Sequence, residues 1–424
     1  MCDKVLQTVC RAGKLLEFKF LTLVKHFNGL ITRRKTYLVG FGIFFGGWMI
    51  SKAFADNSSP GFPGGVRDFA AYWAAARLLL TDGNPYSPSE LLALQRAVGL
   101  AESTPLIMWN PPWILSFIWP FGLLDFTISQ FLWLILNVFL VLFSSHQLLK
   151  LYGGSQSKAG VAWLLAFTFT PTVYALILGQ VTPVILFGLA TFLSMERKKN
   201  WIGIGLVLAL MSIKPHFLYL FWIAAALWLG SLRDWRIACA IGLAGLTAGL
   251  LPLLFDSAIY SNYIRVYQSA DYLKPLDLPV PSLRNVVKVL FNLDGFLIEH
   301  LPTAAGAVWI LIYWRRHRLE WVWTEHLPLI LLVSIVTSPY SWTYDHIVLL
   351  PAVIQTYSWL RDRATSVMTV YLTFNAIYLT ARYFVPLDFW YFWMAPLFLS
   401  VYLLFGKGHR NQTLRADTTI AWRT

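Results

Sequence analysis

The feature that most constrains this chain is an alternation. Apolar stretches long enough to enter a bilayer are separated by short turns in which Lys and Arg gather. The apolar stretches lie near residues 37–55, 107–124, 127–149, 160–177, 180–195, 201–213, 216–230, 237–255, 301–314, 326–338, 343–360, 365–385 and 389–406. Several fall short of the ~20 residues that a spanning helix needs. Pro171, Pro215 and Pro339 break or bound them, so kinked and paired half-length helices are expected. Only 13% of residues are charged, 57% are hydrophobic and the mean hydropathy is +0.57. Soluble domains carry roughly 25% charged residues, so a soluble enzyme with one anchor is excluded. The chain reads as all-α and polytopic.

The net charge of +13 does not point to nucleic acid, because the cations sit between apolar stretches. The basic clusters are Lys4–Lys35, Arg197-Lys198-Lys199, Arg233/Arg236, Arg315-Arg316-His317-Arg318, Arg361/Arg363, and Lys407 with Arg410. The positive-inside rule puts them in the cytoplasm. Loops 56–106 and 256–300 then face outward, as do the turns at Gly179-Gln180, Lys214-Pro215 and Ser338–His346. Parity requires one stretch before Arg197 not to cross. Asn110-Pro111-Pro112 and Pro120 make 107–124 the re-entrant candidate, leaving about twelve crossings with both termini cytoplasmic.

Residues 1–36 form a basic segment with apolar positions interleaved, read either as an amphipathic helix on the cytoplasmic membrane surface or as a frayed tail. Its length before the first apolar core argues against a cleaved signal peptide. Residues 37–406 form one membrane domain without internal repeats, and 407–424 a cytoplasmic tail. Cys2, Cys10 and Cys239 avoid the outer loops and imply no disulfide or metal cluster.

Loop 56–106 predicts two short helices along the outer membrane surface. The first covers 66–81, with Gly83 as a left-handed cap. The second follows a Ser87/Glu90 capping box with Pro88 at its first position. Asp68 falls in the first turn of the first helix. A carboxylate against a membrane either complements the helix dipole or serves as a base that takes a proton from a hydroxyl. Further polar residues mark the outer ends of apolar stretches. Lys214 either snorkels or binds an anion. Asp345-His346 follows a Pro-broken end, where a His beside an Asp favours a functional role. Arg382 pairs with Asp388 or a lipid phosphate, and Gln180 stands within reach of a sugar hydroxyl. In loop 256–300, Tyr260, Tyr263, Ile264 and Tyr267 share one helix face, and Val286, Val287, Leu290 and Phe291 another. A carboxylate, cations and a His at one membrane face suit glycosyl transfer from a polyprenyl-phosphate sugar: a base frees the attacking hydroxyl and cations stabilise the leaving phosphate.

Asp68-Phe69-Ala70-Ala71-Tyr72-Trp73, Gly83-Asn84-Pro85-Tyr86, Asn110-Pro111-Pro112, Gly179-Gln180, Lys214-Pro215 and Ser338-Pro339…Ser341-Trp342…His346 together resemble glycosyltransferase family 87. Those are GT-C-type membrane enzymes that include polyprenyl-phosphate-mannose-dependent alpha-mannosyltransferases. The resemblance implies an inverting hexosyl transfer, with mannose as the leading sugar, on the outer face of a bacterial plasma membrane. Asp68 is then the general base, with Lys214 and His346 around the donor phosphate. Arg67, Arg382 and Gln180 are added as donor-binding candidates. Tyr72, Tyr86, Asn110, Trp342 and Asp345 are candidates for the pocket or acceptor side. The partners are a lipid-linked sugar donor, a glycolipid or glycan acceptor and membrane lipids; no nucleic acid is expected. Asp68 has no close acidic companion besides Asp56, Asp82, Glu90 and Glu102 in its loop, so no metal or other cofactor is expected. The alternatives are a flippase for lipid-linked sugars, an O-antigen ligase or polymerase using a diphosphate donor, and a non-catalytic scaffold. A flippase would show inverted repeats and midplane polar groups, and a ligase an outer loop rich in Arg and His. Tags placed at the two termini should be accessible from the same membrane face. Labelling from opposite faces contradicts the parity argument.

Overall fold

A computed structural model of the chain describes residues 67–101, 103–154, 159–232, 234–291 and 295–406. The basic N-terminal segment, the stretch 37–55, the turn-rich entry to the first loop and the C-terminal tail lie outside the described residues. So do Cys2 and Cys10, whereas Cys239 is a free, exposed thiol. Among the described residues the regular structure is entirely helical, as the sequence implies.

Four helices are long and apolar enough to cross a membrane: Phe126–Leu151 (α4), Trp235–Leu254, Phe296–Glu320 and the last one, Asp388–Gly406. A fifth candidate is the pair Ala159–Thr168 (α5) and Thr170–Ile177 (α6), bent by 70°. Length and composition thus support four to five spans among the described residues, not about twelve. The difference arises where proline and polar turns divide the apolar sequence. Thr182–Arg197 (α7), Trp201–Met211 (α8), Tyr219–Leu232 (α9) and Trp323–Thr337 (α14) are apolar but short. Leu115–Gly122 (α3) has eight residues, about 12 Å at 1.5 Å per residue, too short to cross. That agrees with the re-entrant reading of 107–124.

Helix α4 shows the solvent for which this fold is built. Its outward face carries Ile128, Phe131, Leu132, Ile135, Phe139 and Phe143. Its buried face carries Ser129, Gln130, Asn137, Ser144 and Ser145. In water such an arrangement would be inverted. Against hydrocarbon it removes polar groups from lipid, and the hydroxyls of Ser144 and Ser145 bond back to Leu140 and Val141 carbonyls. Leu243, Leu246, Leu250 and Leu254 make a similar outward stripe on Trp235–Leu254. The molecule is an integral membrane protein.

The two helices expected in the first loop are present, as Arg67–Leu80 (α1) and Pro88–Ala97 (α2). Three local expectations are corrected. First, α1 does not lie on a surface: Phe69–Ala76 are all buried, packed against α3 and α4. Its alanines permit this. Gly122 of α3 sits so close to Ala76 that a Cβ there would lie 2.6 Å from the Ala76 carbonyl carbon. Trp73 Nε1 and Arg77 Nη1 donate to the Leu124 and Gly122 carbonyls at 3.0 and 2.9 Å and lock the pair. Second, Asp82, not Gly83, takes the left-handed conformation (φ 56°). Gly83 is needed for space, because a Cβ there would meet Leu78 and Glu90. Third, the capping box does not form. Glu90 accepts from the Asn84 backbone N–H at 3.0 Å, which leaves Ser87 without a capping bond.

The second loop is equally built. The expected apolar positions fall on two helices, Ile259–Gln268 (α11), which buries Ile259 and Val266, and Leu283–Phe291 (α12). Arg284 pairs with Glu299 and donates to the Leu276 carbonyl. The two loops touch where Tyr86 packs edge-on against Tyr263, and Trp109, just past the first loop, packs edge-on against Tyr267. Replacing Gly122 by Ala should lower the melting temperature of the purified protein, at a cost of about 1–3 kcal/mol of overpacking. Gly230→Ala, on the open side of α9, should leave it unchanged or slightly raised. Equal melting of the two variants would contradict the α1–α3 packing.

Candidate active site

The site is assembled from four short breaks in the helical structure, each with a local cause. The first is the N-terminus of α1, where the first N–H groups of any helix lack partners. Here the Asp68 and Phe69 N–H groups both donate to the Leu178 carbonyl, at 3.1 and 3.3 Å. The second break supplies that carbonyl. After α6 the chain turns at Gly179, whose φ of 67° suits glycine, and Gln180 N–H closes the turn on the Ala175 carbonyl. Trp133 Nε1 donates to the Gly179 carbonyl at 2.8 Å, and its ring stacks on Phe69. Asp68 and Gln180, 112 positions apart, are thereby held side by side.

The third break is Ser212–Pro215, where α8 ends and Pro215 bars its continuation. Asn110 Nδ2 donates to the Ile213 carbonyl at 3.0 Å and Trp113 Nε1 to Ser212. The Asn110-Pro111-Pro112-Trp113 run is thus a brace for the turn that carries Lys214. The fourth break is the 3-10 stretch Thr343–Leu349, in which Asp345 accepts from the Trp342 backbone N–H at 2.9 Å.

One hydrogen-bonded chain connects these breaks. Gln180 Nε2 donates to Asp68 Oδ2 at 2.5 Å. Gln180 Oε1 accepts from Tyr72 OH at 3.2 Å and from Lys214 Nζ at 3.1 Å. Lys214 Nζ donates to Asp345 Oδ1 at 2.7 Å and lies 4.6 Å from the centre of the Tyr344 ring. Lys214, Gln180 and Asp345 are buried, whereas Asp68 is half-buried and keeps one side open. Burial pushes the Asp68 carboxyl above its ordinary value; the Gln180 hydrogen bond and the charges of Arg67 and Lys214 oppose the rise. The result is a carboxylate that holds a proton more readily than a free Asp, with one amide tuning it.

The whole site lies at one end of the bundle. Helix α7 runs from just after Gln180 to Arg197, about 24 Å at 1.5 Å per residue. Ala364–Phe384 (α16) starts beside Arg363 and carries Arg382 near its far end. The basic turns Arg197–Lys199 and Arg361–Arg363 therefore lie at the opposite end from Gln180 and Arg382.

The structure thus brings together Asp68, Tyr72, Gln180, Lys214 and Asp345, with Trp342 contributing its backbone. It corrects or extends several other expectations. Gln180 has its amide engaged with three side chains, Asp68, Tyr72 and Lys214, so it links the cluster in addition to any role toward a sugar. Lys214 does not snorkel; it points inward to Asp345. His346 is fully enclosed, and its nearest polar contact is Ser341 Oγ at 3.5 Å from Nε2. It packs in the core rather than among the cations. Arg382 pairs with Asp388 at 2.6 Å, one of the two partners the sequence offered, and lies against the rings of Tyr174 and Tyr391. Asp388 in turn accepts from the Thr343 N–H and hydroxyl, which anchors the stretch that carries Asp345. Tyr86 packs on Tyr263 outside the cluster, Asn110 is a brace, and Arg67 is exposed at the start of α1. The sequence reading missed Tyr344 and the stack of His216 on Tyr340, whose ring centres are 3.9 Å apart. Only proximity to Lys214 in the turn Lys214-Pro215-His216 could have signalled the latter. No group of three His, Cys, Asp or Glu side chains is placed to hold a metal among the described residues.

A half-buried carboxylate joined through an amide to a buried ammonium, at one end of a membrane bundle, is an arrangement suited to acid–base chemistry in a membrane protein. The family comparison supplies the class: the model for glycosyltransferase family 87 matches residues 109–339, just over half of the chain. The chain belongs to glycosyltransferase family 87. The match includes Gln180 and Lys214, while Asp68 and Asp345 lie outside it. No curated protein and no solved structure matches the chain.

The Asp68 carboxyl should titrate above the ordinary carboxylate value, read by infrared difference spectroscopy against Asp68→Asn. Gln180→Ala removes a donor to the ionised form, so it should move that midpoint further up. An unshifted midpoint in the variant contradicts the pairing.

Proposed function

We propose that the protein moves a hexose, with mannose the leading sugar, from a polyprenyl-phosphate donor to a lipid or glycan acceptor at the outer face of a bacterial plasma membrane. The observation that carries this reading is the Asp68–Gln180–Lys214 chain: a tuned carboxylate with one open side, one amide away from a buried ammonium. Membership of a glycosyltransferase family supports the reaction class. The concentration of basic turns at the opposite end supports the outer-face orientation.

The step uses Asp68 as general base. The acceptor O–H proton passes to the Asp68 carboxylate as the acceptor oxygen bonds to the anomeric carbon. The bond from that carbon to the phosphate oxygen breaks on the opposite side, and polyprenyl phosphate leaves with the electron pair. Configuration inverts, because attack and departure occur on opposite faces. Lys214 spends two N–H groups on Gln180 and Asp345 and offers the third to the departing phosphate oxygen. Asp345 keeps that ammonium in place, and Tyr72 holds Gln180 from its other side. The step requires no resident metal.

The test is incubation of purified protein with polyprenyl-phosphate-mannose and membrane glycolipids, read by mass spectrometry. A new hexose on a lipid is expected, unaffected by EDTA. Asp68→Asn should lose roughly 10²–10⁴-fold in transfer rate while remaining folded. Lys214→Ala should lose about 10²–10³-fold. Full activity in Asp68→Asn removes it from the mechanism. Movement of donor across liposomes without transfer supports a flippase instead.

A further inference from the structure

At the end of the bundle away from Asp68, an apolar cavity of about 270 Å³ opens between Leu350–Trp359 (α15), α16, the last helix and Leu165 of α5. Val353, Val367, Val370, Phe374, Phe398 and Val401 are among the side chains that line it. Three tyrosines line it, Tyr357, Tyr371 and Tyr402, and two have their hydroxyls engaged elsewhere: Tyr371 donates to the Leu165 carbonyl at 2.6 Å and Tyr402 to Gln355 Oε1 at 2.6 Å. Most of the lining is aliphatic or aromatic, with Thr356, Tyr357 and Ser366 as its few hydroxyl-bearing members, so the cavity suits hydrocarbon better than water. One cation stands at its rim. Arg363 lines the cavity and is exposed; its backbone N–H donates to the Leu360 carbonyl, while its guanidinium has no carboxylate partner among the described residues. Its neighbour Arg361 is already committed, to the Ser358 and Gly153 carbonyls.

We propose that this cavity is a binding site for one acyl chain of an anionic phospholipid from the cytoplasmic leaflet, with Arg363 holding the headgroup phosphate. Charge selects the class of ligand. A guanidinium beside an apolar slot between membrane helices matches a phosphate joined to a hydrocarbon chain, and basic clusters of this kind face the cytoplasm, where anionic lipids concentrate. Position separates this rim from the place of the donor phosphate. Ser366 lines the cavity and Arg382 lies sixteen residues further along α16, about 24 Å at 1.5 Å per residue. A polyprenyl phosphate engaged at Lys214 would present its phosphate at the other end of the bundle. The site is therefore separate from the proposed transfer reaction and does not depend on it.

The test uses the full chain, purified and exchanged into detergent with equal amounts of phosphatidylglycerol and phosphatidylcholine of one chain length, read by native mass spectrometry. One retained phosphatidylglycerol per chain is expected, in preference to phosphatidylcholine. Arg363→Gln should reduce that preference about fivefold, the value of one cation near an anionic headgroup. Val367→Trp should reduce retention of both lipids by filling the slot. If that variant does not fold, Arg363→Gln, an exposed change, still decides the matter. Equal retention of the two lipids by the wild type, an unchanged preference in Arg363→Gln, or retention of polyprenyl phosphate in their place overturns the proposal.

Discussion

The buried ammonium of Lys214 is the constraint around which this structure is organised. An ammonium withdrawn from water costs several kcal/mol unless partners surround it. Here the partners come from distant parts of the chain: Asp345 lies 131 positions away and Gln180 34 positions away. Gln180 passes the connection on to Asp68 and Tyr72. Four chain breaks that would otherwise be independent are thus tied at one point. Each break also has a brace of its own: Trp133 on Gly179, Asn110 on Ile213, Asp388 on Thr343, and the Leu178 carbonyl on the start of α1. Geometry at the cluster is over-determined, as a site holding a reactive group in a fixed position requires.

The membrane explains why the breaks are there. In hydrocarbon every backbone polar group needs an internal partner, so non-helical backbone survives only inside protein or beside a cavity. The proline-bounded ends at Lys214-Pro215 and Ser338-Pro339 obey this rule: their freed groups meet side chains. The same rule reverses the faces of α4, with phenylalanines outward and serines and an asparagine inward. An enzyme acting on a lipid-linked substrate needs a wet, polar hollow within such a bundle. Short helices meeting head to head are an economical way to produce one.

Much of this was legible in the sequence, and the rest for good reason was not. Hydropathy gave the helical class and the membrane setting, and turn and helix-start residues gave α1 and α2. Hydropathy also singled out Asp68, Gln180, Lys214 and Asp345, because isolated polar residues at apolar ends stand out. Three kinds of information were hidden. Pairings over 34 to 131 positions leave no local pattern, so the part Gln180 plays in joining Asp68 to Lys214 was not visible in the sequence. Burial of a His beside an Asp cannot be told from exposure, so His346 was placed among the cations rather than in the core. About twelve crossings were expected, and among the described residues helix length and composition support four to five, because an apolar run cut by proline has the composition of a span without its length. The surface position expected for α1 failed similarly, since a run of alanines permits close helix packing that hydropathy does not register.

The most direct test of the central claim is a double-mutant cycle on thermal unfolding with Lys214→Met and Asp345→Leu. Each single change leaves an uncompensated buried charge and should cost about 3–5 kcal/mol. The double variant should be more stable than either single one, with a coupling energy well above the ~0.5 kcal/mol expected of independent sites. Costs that simply add would show that the two side chains do not meet, and the site built on their meeting would not stand.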